Sequence, residues 1–296
     1  MTSAPAAIEA DSTTREFRAM NTDWWVTARG AVDLEPIEAL VHDAEARFSR
    51  FRDDSALARL NRERCLEDRE LAAMATHAAE LTRLTRGAFD IRVGAAIEAA
   101  GYDRSFELLA TRRVLPRRVA GQPSSLTVVL EGNAVQLEGE GALDLGGIAK
   151  GWTIDRAAEA LEAAGIRDYV IDGGGDIRAG GDAPGGDAWG IGVGDGLAVR
   201  LEDRAVCTSS TRRRRWRMAE GEAHHIIDPA SGAPATEAAD TAVVIATDAA
   251  TADALATALL ADLDRGLAAV VALGAEALFG LEGRWEMTPG MERWLI

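Results

Sequence analysis

The stretch ALDLGGIAKGWTIDRAAEALEAAG, Ala142 to Gly165, constrains the fold of this chain more than any other. It reads as a short extended run, a glycine turn and then a helix. Ile154, Ala157, Ala158, Leu161 and Ala164 recur at helical spacing, so one face of that helix is apolar and packs inward. Gly165 accepts the left-handed cap that ends it, and Ile166 can fold back on the last turn. At the other end, Gly146 and Gly147 leave bare backbone beside a helix start, and Lys150 adds a positive charge there. Such a turn suits a phosphate or diphosphate. Glycines before a helix also serve as a tight turn and nothing more, and the stretch alone leaves both readings open. GGIAKG is not a P-loop, because it lacks the four-residue gap and the Lys-Ser/Thr ending.

Taken in order, the rest of the chain mixes strands and helices without a fixed alternation. Residues 1–13 are small and polar and read as a flexible leader, leaving 14–296 as one domain. A strand is expected over Phe17–Ala28, and helices over Leu34–Phe51 and Asp68–Arg86. Between them, Ser49–Asn61 is a polar corner and a short helical turn. Residues 91–125, with Pro116 and Pro123, read as a short helix and loops. Leu126–Leu130 and Ala134–Leu137 alternate around a turn and form a hairpin. Tyr169–Asp172 is a strand leading into GGGD, which is no dinucleotide fingerprint, since Arg178 stands where the third glycine belongs.

Trp189–Val193, Ala198–Leu201 and Ala205–Ser209 read as a meander of short strands, and His224–Ala235 as a strand running into a Pro-Gly turn. Ala242–Ala246 is an apolar strand, a helix starts near Thr251, and another helix with short strands around Phe279 and Trp285 completes the chain. The order is too irregular for a doubly wound sheet. The expected class is α+β, antiparallel strands carrying several long helices.

With 296 residues, 47% of them hydrophobic, the chain can bury a substantial core. Its net charge of −16 argues against nucleic-acid and anionic-membrane partners, both of which would be repelled. No apolar run reaches the ~18 residues of a membrane span, so no stable membrane insertion is expected. Cys65 and Cys207 match neither a disulfide framework nor a zinc motif, and His42, His77, His224 and His225 form no obvious cage. No basic, apolar signal segment is visible near the start, and the expected compartment is the cytoplasm.

Asp253 and Thr257 lie four apart on the helix that starts near Thr251, with Leu255 and Leu259 roughly opposite. Together they give two hard oxygen ligands of the kind Mg²⁺ prefers, or an exposed polar helix face. Arg212–Arg217 is a basic island in an acidic chain, read as a solvated strand or loop in preference to a binding patch.

One series of motifs runs through the chain: Met20-x-Thr22, Ser49-x-Phe51-x-x-x-Ser55 followed by Leu60-Asn61, GAFD at 87–90, DLGGIAKG at 144–151, DGGGD at 172–176, Thr208-Ser209-Ser210, HHIIDPASGAP at 224–234 and ADALATAL at 252–259. This series resembles the ApbE family, the FAD:protein FMN transferases, from about Met20 to the C-terminus. The resemblance implies an ApbE-like α+β fold of two intimately joined halves. It implies an enzyme that cleaves FAD at its diphosphate, joins FMN through a phosphoester to a Ser or Thr of an acceptor flavoprotein, and releases AMP. Phosphoryl transfer needs positioning and charge neutralisation more than covalent help, which accords with the residues on offer.

Carried over by motif, the Mg²⁺ site comprises Asp253, Thr257 and the backbone carbonyl of Gly147. Lys150 sits on the diphosphate, Phe51 packs on the flavin, and Met20, Ala88, Phe89, Asp90, Asp144 and Ile227 match other FAD-contacting positions. His225 is the candidate to take the acceptor hydroxyl proton, since imidazole titrates near neutrality; His224 and Asp228 compete for that role, and a structural hydrogen bond is the plainer alternative. The chain departs from the family at Met20-Asn21-Thr22, where the family has Met-Gly-Thr, and at Thr208-Ser209-Ser210, where it has Thr-Ser-Gly. Two other activities fit the same residues: an FAD pyrophosphatase with water as acceptor, and a flavin carrier without turnover.

Overall fold

The computed structural model describes residues 12–110, 122–212, 214–218, 221–236 and 239–296. Most of the expected leader, Pro116 and Arg213 lie outside the described residues. The architecture is built on one eight-stranded sheet whose strands follow each other in chain order: β1 (Ser12–Ala19), β2 (Thr22–Arg29), β3 (Tyr169–Asp172), β4 (Asp176–Gly180), β5 (Arg204–Ser210), β6 (Ala239–Ala246), β7 (Glu276–Leu281) and β8 (Arg284–Met287). Every neighbouring pair is antiparallel. The long helices are α1 (Glu35–Phe48), α2 (Arg69–Leu84), α3 (Ala149–Ala163), α4 (Ala249–Ala261) and α5 (Leu263–Ala272). The class is α+β.

The period-two alternation of the strands decides what covers each face. Ala205 and Cys207 of β5 and Val244 of β6 point to one side, where Ile154, Ala157, Ala158 and Leu161 of α3 meet Leu255 and Leu259 of α4. Val206, Val243 and Ile245 point to the other side, under a hairpin of Trp189–Gly194 and Leu197–Leu201. A second core lies beyond the helices: α2, the helix Ala56–Glu63 and a three-stranded sheet of Cys65–Glu67, Thr127–Glu131 and Ala134–Glu138 enclose Leu71, Met74, Leu81 and Val135. Ala149 and Trp152 of α3 and Ala250, Ala254 and Ala258 of α4 face this second core. Helix α4 is therefore a wall shared by both halves, and every residue of it except Thr257 is buried. A helix apolar all round belongs in such a place.

Asp155 fixes the two central helices to each other. Its carboxylate accepts the Ala249 and Ala250 N–H groups, both at 2.9 Å, and the Arg178 guanidinium at 2.6 Å. Burial pushes its carboxyl up, and those hydrogen bonds oppose the shift. Gly151 permits the crossing, because a Cβ there would lie 2.7 Å from the Ala250 nitrogen and closer still to the Ala249 carbonyl. Helix α3 ends as the sequence indicates: Ile166 N–H bonds Leu161 O at 3.0 Å, Gly165 N–H bonds Glu162 O at 3.0 Å, and Gly165 has φ +82°.

Several expectations need correction. The Phe17–Ala28 segment is not one strand but parts of β1 and β2, joined by a two-residue turn with Met20 at φ 50° and Asn21 at φ 60°. Asparagine accepts that left-handed conformation and methionine is unusual in it, so Met-Asn carries a weak turn signal. β1 starts at Ser12, which takes Ser12 and Thr13 out of the leader. In the meander, the third strand leaves the hairpin and enters the main sheet as β5. His224–Ala235 is not continuous: Gly221–His224 pairs with Arg215–Met218, and Ile227–Asp228 pairs with Ala233–Pro234. Ala164 is exposed, because the chain has reached the C-cap of α3 by that point. The open polar helix face, the alternative for Asp253 and Thr257, is not what the structure shows: Asp253 is buried, Thr257 is half-buried, and both turn into an internal cleft.

Candidate active site

A cleft of about 510 Å³ opens along the seam between the two halves. The β1–β2 turn forms one rim, with Met20, Asn21 and Thr22, and the Met20 N–H donates to Glu45 of α1 at 2.8 Å. Of the motif serines and asparagine, Ser49 lines the cleft, while Ser55 and Asn61 brace the elements beside it. Ser55 caps the Ala56–Glu63 helix by accepting Ala58 N–H at 2.9 Å. Asn61 clamps the backbone of Leu143 from both sides, at 2.8 and 2.9 Å, and so fixes the approach to Asp144.

Arg50, which sequence reasoning passed over, organises the mouth. Its Nε meets the Asp144 carboxylate at 2.7 Å, and it donates to the Tyr102 carbonyl at 2.6 Å. The guanidinium lies 4.2 Å from the Phe51 ring centroid and 4.6 Å from that of Tyr102, inside cation–π range. Phe51 keeps 40% of its surface exposed, a large aromatic left uncovered at the cleft mouth. Tyr102 continues the aromatic wall inward to Trp216, 5.2 Å between centroids. Tyr102 lies within residues 91–125, where the sequence shows only a short helix and loops. Ala88, Phe89 and Asp90 form the floor, where Thr85 accepts the Phe89 N–H at 3.1 Å and the Asp90 carboxylate is held by Arg92 at 2.5–2.9 Å.

Deeper in, the glycine turn meets α4. A Cβ on Gly147 would sit 3.0 Å from Thr257 Oγ1 and 3.4 Å from the Phe89 ring, so backbone and hydroxyl approach closely because glycine is there. The amide groups that the sequence offers to an anion are mostly committed. Gly146 N–H donates to Asp144 at 2.8 Å, Ile148 and Ala149 to Leu145, and Gly151 to Asp253 at 3.4 Å. Lys150 pairs with Asp176, a buried carboxylate that also accepts Thr208 N–H at 3.2 Å. Burial pulls the Lys150 ammonium below the usual lysine range, against the attraction of Asp253. Asp176 ends the DGGGD motif, and its ion pair is what that motif delivers.

Asp253 is 3% exposed, and its one hydrogen bond among the described residues is the long one from Gly151. Burial pushes its carboxyl up, with Lys150 opposing. A buried carboxylate so poorly satisfied, beside a hydroxyl and a glycine backbone, is a donor set of hard oxygens. These residues fit a cation such as Mg²⁺.

His225 lines the cleft but does not titrate near neutrality. Burial first, then the Arg214 charge, pushes its imidazole down to about 3. Its buried Nδ1 has no partner among the described residues. His224 points elsewhere, its Nε2 on the Ala235 carbonyl at 3.0 Å, and Asp228 caps its own turn by accepting Ala230 and Ser231 N–H groups. Ile227 is buried at the cleft wall. Arg214 reaches the same cleft, so part of the basic island is not solvated surface. Every site residue expected from the sequence lines this one cleft. Glu45, Arg50, Tyr102 and Arg214 join them, and the buried Asp176 meets the cleft through Lys150.

An α+β frame with a seam cleft that combines an exposed aromatic, paired cations and a buried carboxylate defines a protein built to hold a ringed, anionic small molecule. The comparisons give the lineage. The chain matches the ApbE family over residues 20–279, and it belongs to that family. It is 31% identical over 249 residues to the FAD:protein FMN transferase of Vibrio cholerae, which covers 78% of this chain and 74% of that one. It is 33% identical over 252 residues to the FAD:protein FMN transferase of Treponema pallidum, covering 76% and 70%. The crystal structure of the ApbE protein of Thermotoga maritima superimposes with a TM-score of 0.78 at 27% identity, over 95% of this chain and 98% of that one. The flavin transferase ApbE of Vibrio cholerae gives 0.75 at 25% identity, over 95% and 97%.

Proposed function

We propose that this protein transfers the FMN moiety of FAD to a Ser or Thr hydroxyl of an acceptor flavoprotein and releases AMP. The observation that carries the reading is convergence: residues from widely separated motifs, Phe51, Asp144, Lys150, His225 and Asp253 among them, line one cleft. In the reaction the acceptor oxygen bonds to the FMN phosphorus, the P–O bond to AMP breaks, and AMP leaves with the electron pair. Phe51 stacks on the isoalloxazine ring. Met20, Ala88, Phe89, Asp90, Asp144 and Ile227 complete the FAD contacts, and Lys150 faces the diphosphate. His225 takes the hydroxyl proton on its unpartnered Nδ1. Because burial keeps that imidazole neutral, it is ready to accept at every pH near neutrality, and the developing acceptor charge raises its basicity.

Asp253, Thr257 and the Gly147 carbonyl hold Mg²⁺ in this reading; when bound, the ion neutralises phosphate charge. Residues 14–296 act as one unit, and the setting is cytoplasmic, in keeping with two free cysteines, one of them exposed. Among the described residues no helix is long and apolar enough to cross a membrane. The test is an assay of AMP release from FAD and Mg²⁺, with and without an acceptor flavoprotein, read alongside the acceptor's mass. Transfer gives AMP together with an acceptor heavier by FMN. AMP without acceptor marks the pyrophosphatase, and bound FAD without AMP marks the carrier.

A further inference from the structure

We propose that Arg214 is a further catalytic residue, its guanidinium gripping the diphosphate of FAD where the bond breaks. The inference rests on the flavin-transfer reading above. Four strong cations line the cleft: Arg18, Arg50, Lys150 and Arg214. Three of them meet a carboxylate, Arg18 with Asp23 at 3.1 Å, Arg50 with Asp144 at 2.7 Å, and Lys150 with Asp176. Arg214 has no carboxylate within ion-pair distance among the described residues. Its neighbours in the basic island turn outward instead, Arg212 to Asp240 and Arg215 to Glu222 at 3.2 Å. Among the described residues the island thus sends one half-buried guanidinium into the cleft and settles Arg212 and Arg215 on the surface.

The place it reaches is the reacting end. His225 hydrogen-bonds to the Arg214 backbone, so the proton acceptor and the guanidinium issue from one corner. The Arg214 charge acts on Lys150, His225 and Asp253 alike. A partly desolvated cation without a counter-ion is costly unless an anion arrives. FAD brings that anion in its diphosphate, and a planar guanidinium meets phosphate oxygens two at a time. As the P–O bond to AMP breaks, negative charge grows on the leaving phosphate, and a fixed guanidinium there stabilises it most. Lys150, held by Asp176, is a weaker substitute for this task.

The experiment measures binding of FAD, ADP and riboflavin by fluorescence or calorimetry, and AMP release at saturating FAD, for the wild type and for Arg214→Ala, Arg214→Lys and Arg214→Gln. Arg214→Ala is expected to weaken FAD and ADP about tenfold or more and to leave riboflavin unchanged. AMP release at saturation should fall roughly a hundredfold or more, with Arg214→Lys recovering affinity but little rate. Should Arg214→Ala not fold, retained riboflavin binding and melting temperature in the Lys and Gln variants keep the comparison valid. Equal FAD and ADP affinity in wild type and a folded variant overturns the inference while the flavin-transfer reading stands. A wild type that binds no FAD overturns that reading, and this inference with it.

Discussion

Replacing Gly151 by alanine sets two effects against each other. Alanine is the better helix former by about 1 kcal/mol, so on propensity alone Gly151→Ala would stabilise α3. The structure opposes this, because the new Cβ would lie 2.7 Å from the Ala250 nitrogen, with the Ala249 carbonyl nearer still. Carbon contacts are most favourable near 3.5 Å, so α3 and α4 must separate by about 0.8 Å or more. Both partners are backbone, and no side chain can swing away. Overpacking of this kind costs about 1–3 kcal/mol or more, and a gap of that width also forfeits a quarter or more of the dispersion along the crossing. The net expectation is a loss of about 2 kcal/mol. For a chain of 296 residues, at about 2 °C per kcal/mol, the melting temperature falls by about 4 °C. The same shift pulls the Gly151 N–H away from Asp253, so FAD cleavage should suffer beyond what the lower stability explains. Thermal unfolding followed by circular dichroism reads the first effect, and AMP release well below the melting point reads the second. A variant melting within 1 °C of wild type, or above it, would refute the close-crossing argument.

Asp253→Asn should abolish Mg²⁺-dependent AMP release yet raise the melting temperature of the ligand-free protein at pH 7. Burial raises the folded-state pKa of this carboxyl, so ionisation costs stability as pH climbs from about 4 through the raised value, and the advantage of Asn should vanish below pH 4 in a pH series of melts. For His225 the sign is opposite: with a folded pKa of about 3 against 6.5 unfolded, the unfolded state binds the extra proton first. Wild-type stability should decline as pH falls from 6.5 towards 3, by up to about 4 kcal/mol, and His225→Gln should flatten that decline in denaturant titrations. The same shift means turnover should show no His225 inflection near pH 6.5; one that disappears in His225→Gln would contradict the burial. Phe51→Ala should weaken FAD binding by flavin fluorescence and leave the melting temperature nearly unchanged, since the ring is exposed and supports little of the core.

The sequence reveals what is local. Gly165 announces the end of α3, and the structure uses it as that end. Periodicity also identifies the sheet-facing side of α3. It cannot say how many sides of a helix are covered, and for α4 that decides the chemistry: the same Asp253 reads as a solvated ligand or as a buried one, with opposite consequences for its protonation. The pairings within the site are hidden for a similar reason. Lys150–Asp176 and Arg50–Asp144 join residues that no spacing rule connects, because the sheet and the Leu143 clamp bring them together. Arg214 is hidden by its company, since four consecutive arginines look like solvated charge until the fold turns this one into the cleft.

The burial of α4 in both cores also determines how the cleft can move. Enzymes that close over a ligand by hinge bending need two bodies whose interface can part cheaply. Here parting them would expose Ala254 and Ala258 on one side of the helix, or Leu255 and Leu259 on the other, and would break the Asp155 bonds to its first turn. Widening the slot by hinge bending would therefore disrupt both cores at once. Adjustment to a bulky ligand is cheapest at the mouth, where Phe51 is exposed beside Arg50 and a side-chain rotation disturbs neither core.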